Sequence, residues 1–251
     1  MPRLIAGGDS FIFGAELSDQ IANVPSRSTM SALVASELGL TYQCAAVPGS
    51  SNNTIARYVM SACQEHKQTD SVRVFVMWSY FPRYEFRFAY APNGNHWQSI
   101  NSWSADIPEF NGNTNVHSYR MQSDSELLKD FARTFYKHVG SDTAFEWYNT
   151  LKEIVFLQNY LELNNIPYVF TSADIVVRDN SEFNRVRDKW IEDLYNQIKW
   201  DRWIDFEYQQ CPMGFVDWAR HSNFSIGPAG HPLEDAHIAA STLVKEKIGA
   251  L

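Results

Sequence analysis

The sequence predicts an α/β fold in which helices cover a parallel sheet, and three observations lead to it. The run Val72-Arg73-Val74-Phe75-Val76-Met77-Trp78 is rich in β-branched and aromatic residues and has the length of a buried strand. Segments of strand and helix character alternate from the N-terminus, giving β-α-β-α-β over the first third of the chain. Glycine-containing turns follow the first two strands. A parallel pair needs a crossover of a dozen or more residues, so this alternation favours a parallel sheet, with active groups gathered at the carboxyl ends of its strands.

Taken in order, residues 4–6 form a short apolar strand ending at Gly7-Gly8-Asp9-Ser10, where paired glycines permit a tight strand-to-helix turn. Residues 28–40 read as a helix, with Met30, Leu33, Val34 and Leu38 at helical spacing and Gly39 at the C-terminal end. Residues 42–47 return to a strand, and Pro48-Gly49-Ser50-Ser51-Asn52-Asn53 makes a second polar turn. A helix over 54–64 leads to the strand at 72–78. Between residues 80 and 142 periodicity weakens, and turn residues gather at Pro92-Asn93-Gly94-Asn95 and Phe110-Asn111-Gly112-Asn113. A structureless loop of that length does not suit a compact domain. It is read as an insertion with its own helix near 126–137, either a cap over the strand ends or a decoration without a ligand role.

Residues 144–164 form a strong amphipathic helix and 166–171 a fourth strand. Residues 183–198 read as one charged surface helix. Residues 232–248 form the C-terminal helix, with Pro232 in its first turn and Leu233, Ala236, Ile238, Ala239, Leu243 and Val244 as its apolar face. No boundary signal divides the chain, so residues 1–251 are expected to form one domain.

Composition narrows the function. The chain has 251 residues, 45% hydrophobic and 20% charged, within the range of folded domains rather than disordered ones. A net charge of −8 without a basic stripe argues against nucleic acid as a partner. Aromatic residues, 14% of the chain, crowd residues 78–103 and 190–218, which suits packing beneath long loops or a stacking face for a sugar. Cys44, Cys63 and Cys211 are too few and scattered for a disulfide framework, and a reducing compartment fits them. The N-terminal apolar run is too short for a signal segment, and no stretch approaches the roughly 20 apolar residues of a bilayer span. A soluble, cytoplasmic protein without a membrane partner is expected; the oligomeric state is left open. His66, His96, His117, His138 and His221 show no metal-ligand spacing, so no metal is expected, and the serine chemistry suggested by the residues below needs no other cofactor.

The chemistry rests on Ser10 in Gly-Gly-Asp-Ser-Phe and His231 in Gly-Pro-Ala-Gly-His-Pro. A serine hydroxyl becomes a nucleophile only when a base takes its proton, and folding can supply a base from the far end of a chain. Gly8-Asp9-Ser10, Pro48-Gly49-Ser50-Ser51-Asn52, and His231-Pro232 followed by Ala236-His237 lie in the order, and at the strand ends, of the sequence blocks of the SGNH (GDSL-like) hydrolases. The chain resembles a divergent member of that family, and some phage and marine bacterial proteins share the pattern. The resemblance implies a three-layer α/β/α sandwich of flavodoxin-like type. It also implies Ser10 as nucleophile, His231 as base and then acid, and the backbone N–H groups of Ser10 and Gly49 as an oxyanion hole. His237 matches a family position that packs or caps rather than reacts.

Two departures stand out. Where the family carries Gly-x-Asn-Asp, this chain reads Trp78-Ser79-Tyr80-Phe81-Pro82-Arg83. Ser79, Tyr80 and Arg83 are candidates for the third oxyanion donor, and Arg83 could instead pair with Glu85 or a surface carboxylate. Pro228 stands where the family places the aspartate that orients the histidine. A backbone carbonyl could orient the ring, leaving a Ser-His dyad, or a carboxylate from elsewhere could; Glu234 and Asp235 belong instead to the first-turn electrostatics of the last helix. Two functions remain open: an esterase or deacylase acting on a small-molecule or sugar ester, or a catalytically decayed scaffold used for binding or structure.

Overall fold

The computed structural model describes residues 2–66, 71–89, 96–101, 126–178 and 180–251. The turns expected at 92–95 and 110–113 lie outside the described residues, as does His117. In chain order the elements are β1 (Arg3–Gly7), α1 (Ser10–Phe13), α2 (Met30–Glu37), β2 (Thr41–Cys44), α3 (Asn52–His66) and β3 (Val72–Trp78). A hairpin of β4 (Arg83–Arg87) and β5 (Trp97–Asn101) comes next, then α4 (Glu126–Phe135), α5 (Thr143–Leu163) and β6 (Tyr168–Ser172). The chain continues through α6 (Asn180–Val186), α7 (Lys189–Tyr195), β7 (Phe206–Tyr208), β8 (Cys211–Met213), α8 (Phe215–His221) and α9 (Glu234–Gly249).

The expected α/β class holds. Four strands form a parallel sheet in the order β2-β1-β3-β6. Strand pleating sends successive side chains to opposite faces, and two cores result. Ile5, Val74, Val76, Trp78 and Phe170 pack against α3 and α5, while Leu4, Ala6, Phe75, Met77 and Val169 pack against α2, α8 and α9. Burial on both faces explains why these strands read as near-continuous apolar runs. The result is a helix–sheet–helix sandwich. The chain leaves β1 toward β2 and crosses back to β3, so the carboxyl ends of β1 and β3 flank a switch point, where such sheets place their sites.

The described residues between 80 and 142 build a small core of their own. Tyr84, Ile100, Leu128, Ala132 and Tyr136 pack together, and the Tyr136 hydroxyl donates to the carbonyls of Pro82 (2.9 Å) and Ile100 (3.2 Å). Among the described residues most aromatics pack internally, as in the Trp200–Trp203 and Phe206–Trp218 contacts, whereas Trp97 and Trp190 are among the exposed ones. Among the described residues no helix is long and apolar enough to cross a membrane.

Three expectations need correction. The helix predicted over 183–198 is two helices, because the Asp188 carboxylate caps a new start by accepting from the Trp190 and Ile191 N–H groups. The C-terminal helix begins at Glu234, since Pro232 bridges to Ile226 in extended backbone and Leu233 is the cap. Its buried face is only partly the expected one: Ala236 and Val244 turn inward as expected, joined by His237, Ala240, Ser241 and Ile248, while Ile238 and Leu243 are exposed. His237, expected to pack or cap, does both. It is buried, and its Nδ1 accepts from the Met30 N–H at the start of α2 (3.2 Å).

Burial pushes the His237 imidazole down to about 3; the His231 charge acts the same way, against Glu234 and Asp235. Its folded value lies below its ordinary 6.5, so the unfolded chain binds the proton more readily and stability rises with pH between about 3 and 6.5. Acidification within that window should cost up to about 1.4 kcal/mol per pH unit from this group. Urea unfolding at pH 7, 5.5 and 4.5 should give a shallower pH slope for His237→Asn, whose side-chain oxygen can still accept from Met30. An unchanged slope would mean that His237 is not the buried neutral group described. Gly7 tests the β1–α3 contact. An added Cβ would lie 2.2 Å from Val59 Cγ2, so Gly7→Ala should destabilise by about 1–3 kcal/mol in the same assay.

Candidate active site

Ser10 opens α1 directly beyond the carboxyl end of β1. The turn depends on glycine: a Cβ on Gly8 would fall 2.6 Å from Ile12 Cγ1. Asp9 caps the short helix, its Oδ1 accepting from the Phe11 N–H at 3.1 Å. His231 comes from the turn before α9, and its Nε2 lies 2.9 Å from Ser10 Oγ. The ring rests against Phe11, with centroids 5.2 Å apart, and both Ser10 and His231 are buried. Folding thus brings together the two residues singled out in the sequence.

The group that orients the imidazole is Glu16, which sequence reasoning missed. Its Oε2 lies 2.7 Å from His231 Nδ1 and accepts from the His231 backbone N–H (3.3 Å), and its Oε1 accepts from the Ala229 N–H (2.9 Å). With Nδ1 donating to a carboxylate, Nε2 is left to accept from the serine hydroxyl. Burial alone would raise the Glu16 carboxyl, but the Ala229 amide, the imidazole and the His231 amide outweigh it and hold the group below the usual carboxylate range. The arrangement is therefore neither a dyad nor a ring held by a backbone carbonyl.

Two backbone features serve this contact. Glu16 sits at φ 70°, a left-handed conformation that costs a non-glycine residue about 1–2 kcal/mol. On the other side, a Cβ at Gly227 would lie 2.8–2.9 Å from the Glu16 carboxyl atoms, so only glycine lets the turn close over them. That turn is held by Gly227 N–H to His231 O (2.8 Å) and Gly230 N–H to Gly227 O (2.9 Å). Pro228 lies within it. The only local sign of Glu16 in the sequence is a carboxylate between two buried apolar residues, Ala15 and Leu17. Glu234 and Asp235 stay out of the site: they accept from the Ser18 N–H (2.6 Å) and the Ser225 N–H (2.9 Å).

Gly49 adopts φ +78°, and a Cβ there would meet nothing within 4 Å. The turn needs glycine for its left-handed backbone, and close approach by a protein neighbour plays no part. Asn52 clamps the end of β3: its Oδ1 accepts from the Ser79 N–H (2.8 Å), and its Nδ2 donates to Ser79 O and Thr150 Oγ1 (both 3.2 Å). Of the three third-donor candidates, Ser79 Oγ donates to Asp9 Oδ2 (2.5 Å), and Arg83 Nη1 donates to Asp9 Oδ2 (2.9 Å) and Ser79 Oγ (2.8 Å). The Tyr80 ring lies under the Arg83 guanidinium at 5.0 Å, and burial pushes its phenol up. The suggested Arg83–Glu85 pair does not form. Glu85 binds Arg57 through two contacts, at 2.5 and 3.0 Å. Among the described residues, no group of three or more His, Cys, Asp or Glu side chains could hold a metal ion.

One solved structure shares the fold at low identity, and two others align with lower scores. The psychrotrophic esterase EstA from Pseudoalteromonas sp., in a form inhibited by monoethylphosphonate, aligns over 100% of this chain and 98% of its own, with TM-score 0.50 and 10% identity. A carbohydrate esterase, whose active site is described as having divergent catalytic and non-catalytic binding functions, aligns over 100% of this chain and 65% of its own, with TM-score 0.46 and 13% identity. The acetyl xylan esterase Est2A from the rumen bacterium Butyrivibrio proteoclasticus aligns over 98% of this chain and 62% of its own, with TM-score 0.44 and 11% identity. No curated protein matches the sequence. Residues 16–250 match the family of unknown function DUF6071, and the chain belongs to that family.

Proposed function

We propose that the protein is a serine ester hydrolase of the SGNH (GDSL-like) type, with Ser10 as nucleophile, His231 as general base and acid, and Glu16 as the carboxylate that orients the imidazole. One observation carries this reading: the unbroken hydrogen-bond chain from Glu16 Oε2 through His231 to Ser10 Oγ, with links of 2.7 and 2.9 Å. Both links lie within the reach that proton transfer requires. The shared fold with EstA is consistent with it.

In this scheme Ser10 Oγ attacks the acyl carbonyl carbon as its proton passes to His231 Nε2. The oxygen of the tetrahedral adduct takes the negative charge and is held by the N–H groups of Ser10 and Gly49. Collapse breaks the acyl–oxygen bond, and the departing alcohol receives the proton from His231. Water then attacks the acyl-enzyme by the same route and releases the carboxylic acid and free Ser10. Glu16 remains ionised throughout and stabilises the imidazolium; its lowered pKa suits that role. No cofactor enters the scheme. The substrate is a small-molecule ester, and sugar esters belong to that class. The competing reading, a decayed scaffold that only binds, leaves unexplained why a strained Glu16 backbone and a Gly227 packed tightly over it keep the carboxylate on the ring.

A fluorophosphonate probe should label the protein, and Ser10→Ala or His231→Ala should abolish both labelling and p-nitrophenyl acetate hydrolysis. Labelling that survives Ser10→Ala would end the case for this nucleophile. Glu16→Gln should lower kcat by about 10²–10⁴ with little change in KM, because the amide can donate to Nδ1 and favour the wrong tautomer; loss of the orienting carboxylate costs about 10⁴ in the serine-protease triad. Pro228→Asp should bring no gain in rate, since Glu16 already fills the role. A clear acceleration would show that Glu16 does not.

A further inference from the structure

We propose that Arg83 is a positioning residue, which sets the nucleophile turn against the oxyanion turn without touching substrate. This rests on the hydrolase reading above. Arg83 Nη1 donates to Asp9 Oδ2 (2.9 Å), to Ser79 Oγ (2.8 Å) and, more weakly, to the Ser50 carbonyl (3.4 Å). These acceptors belong to the three turns at the carboxyl ends of β1, β2 and β3. Asp9 precedes Ser10 and fixes its helix through the Phe11 N–H, and Ser50 follows Gly49. A single nitrogen therefore ties together the two segments whose N–H groups would hold the oxyanion.

The contacts determine how Arg83 acts. The Ser79 hydroxyl donates to Asp9 and so accepts from Arg83, closing a ring of three polar groups. Nη1 is occupied by these acceptors and acts through Asp9 and Ser50, not as a donor to the reacting oxygen. The Asp9 and Arg83 side chains are 0% and 8% exposed. Buried ion pairs are often no more stabilising than apolar packing of the same volume, so one placed directly behind a nucleophile points to a geometric use. Arg83 is also the first residue of β4, and the preceding Pro82 carbonyl is held by Tyr136 of the 80–142 core. That core thus anchors the strand that holds the nucleophile turn in register.

The test is p-nitrophenyl acetate kinetics and fluorophosphonate labelling of the full chain for Arg83→Lys, Arg83→Met and the double variant Asp9→Asn/Arg83→Met. A misplacement near 1 Å can cost about 100-fold, so Arg83→Met should lose about that factor in kcat while KM stays within about threefold. Arg83→Lys, which can still reach Asp9, should recover part of the loss. Should Arg83→Met fail to fold with Asp9 left unpaired, the double variant removes both charges and should fold yet remain slow in turnover and labelling. A folded double variant with the rate and labelling of the unsubstituted protein overturns the positioning role while leaving the hydrolase reading intact. Absence of Ser10 labelling in the unsubstituted protein overturns both.

Discussion

A carboxylate with no solvent exposure stands at the end of the first strand, and the site is arranged around it. An ionised group in such a place is tolerable only if its lone pairs are met by donors, because the cost of leaving water is large and unpaired charge is not compensated. Asp9 meets that demand with a backbone N–H from α1, a hydroxyl from the end of β3 and a guanidinium from the start of β4. Each donor comes from a different segment. Satisfying Asp9 therefore requires the strand ends to converge, and that convergence places Ser10 at the switch point of the sheet.

A second carboxylate closes the site from the other side. Glu16 lies just past α1, yet its partners are the backbone of Ala229 and both the backbone and the ring of His231. The first and last parts of the chain meet at this group. Because backbone amides help hold it, the imidazole is oriented by a carboxylate that is itself fixed. Preorganisation of this kind is what the proposed hydrolase chemistry requires of its histidine. His237 shows the contrast: six residues further on it is buried, pushed far down in pKa, and used to cap α2.

The two carboxylates divide the work by environment. Asp9 faces the sheet ends and sets where the Ser10 turn lies; Glu16 faces the histidine turn and sets how the His231 imidazole is aimed. Between them Ser10 and His231 are constrained from both sides, with Phe11 against the ring. The start of β4 contributes Arg83, and the Tyr136–Pro82 contact joins the small core around Tyr84 and Ile100 to the site.

Much of the fold was legible in the sequence. Strands buried on both faces show as apolar runs, the glycines before Ser10 mark a turn too crowded for a side chain, and Gly49 marks one with left-handed backbone; local pattern pointed to β1, β3, α3 and α5, and the resemblance of the sequence blocks pointed to Ser10 and His231. What only the tertiary structure decided was which charge meets which. Nothing in the spacing links Glu16 to a histidine 215 residues away, and Arg83 could equally have paired with its neighbour Glu85. The inward face of α9 and the break at Asp188 were decided the same way, by the partner surface against which a helix packs and by a capping carboxylate that competes with helix continuation. Periodicity records which side of an element is buried when apolar residues mark it. It carries no record of long-range polar pairing, because a donor and an acceptor need only meet in space.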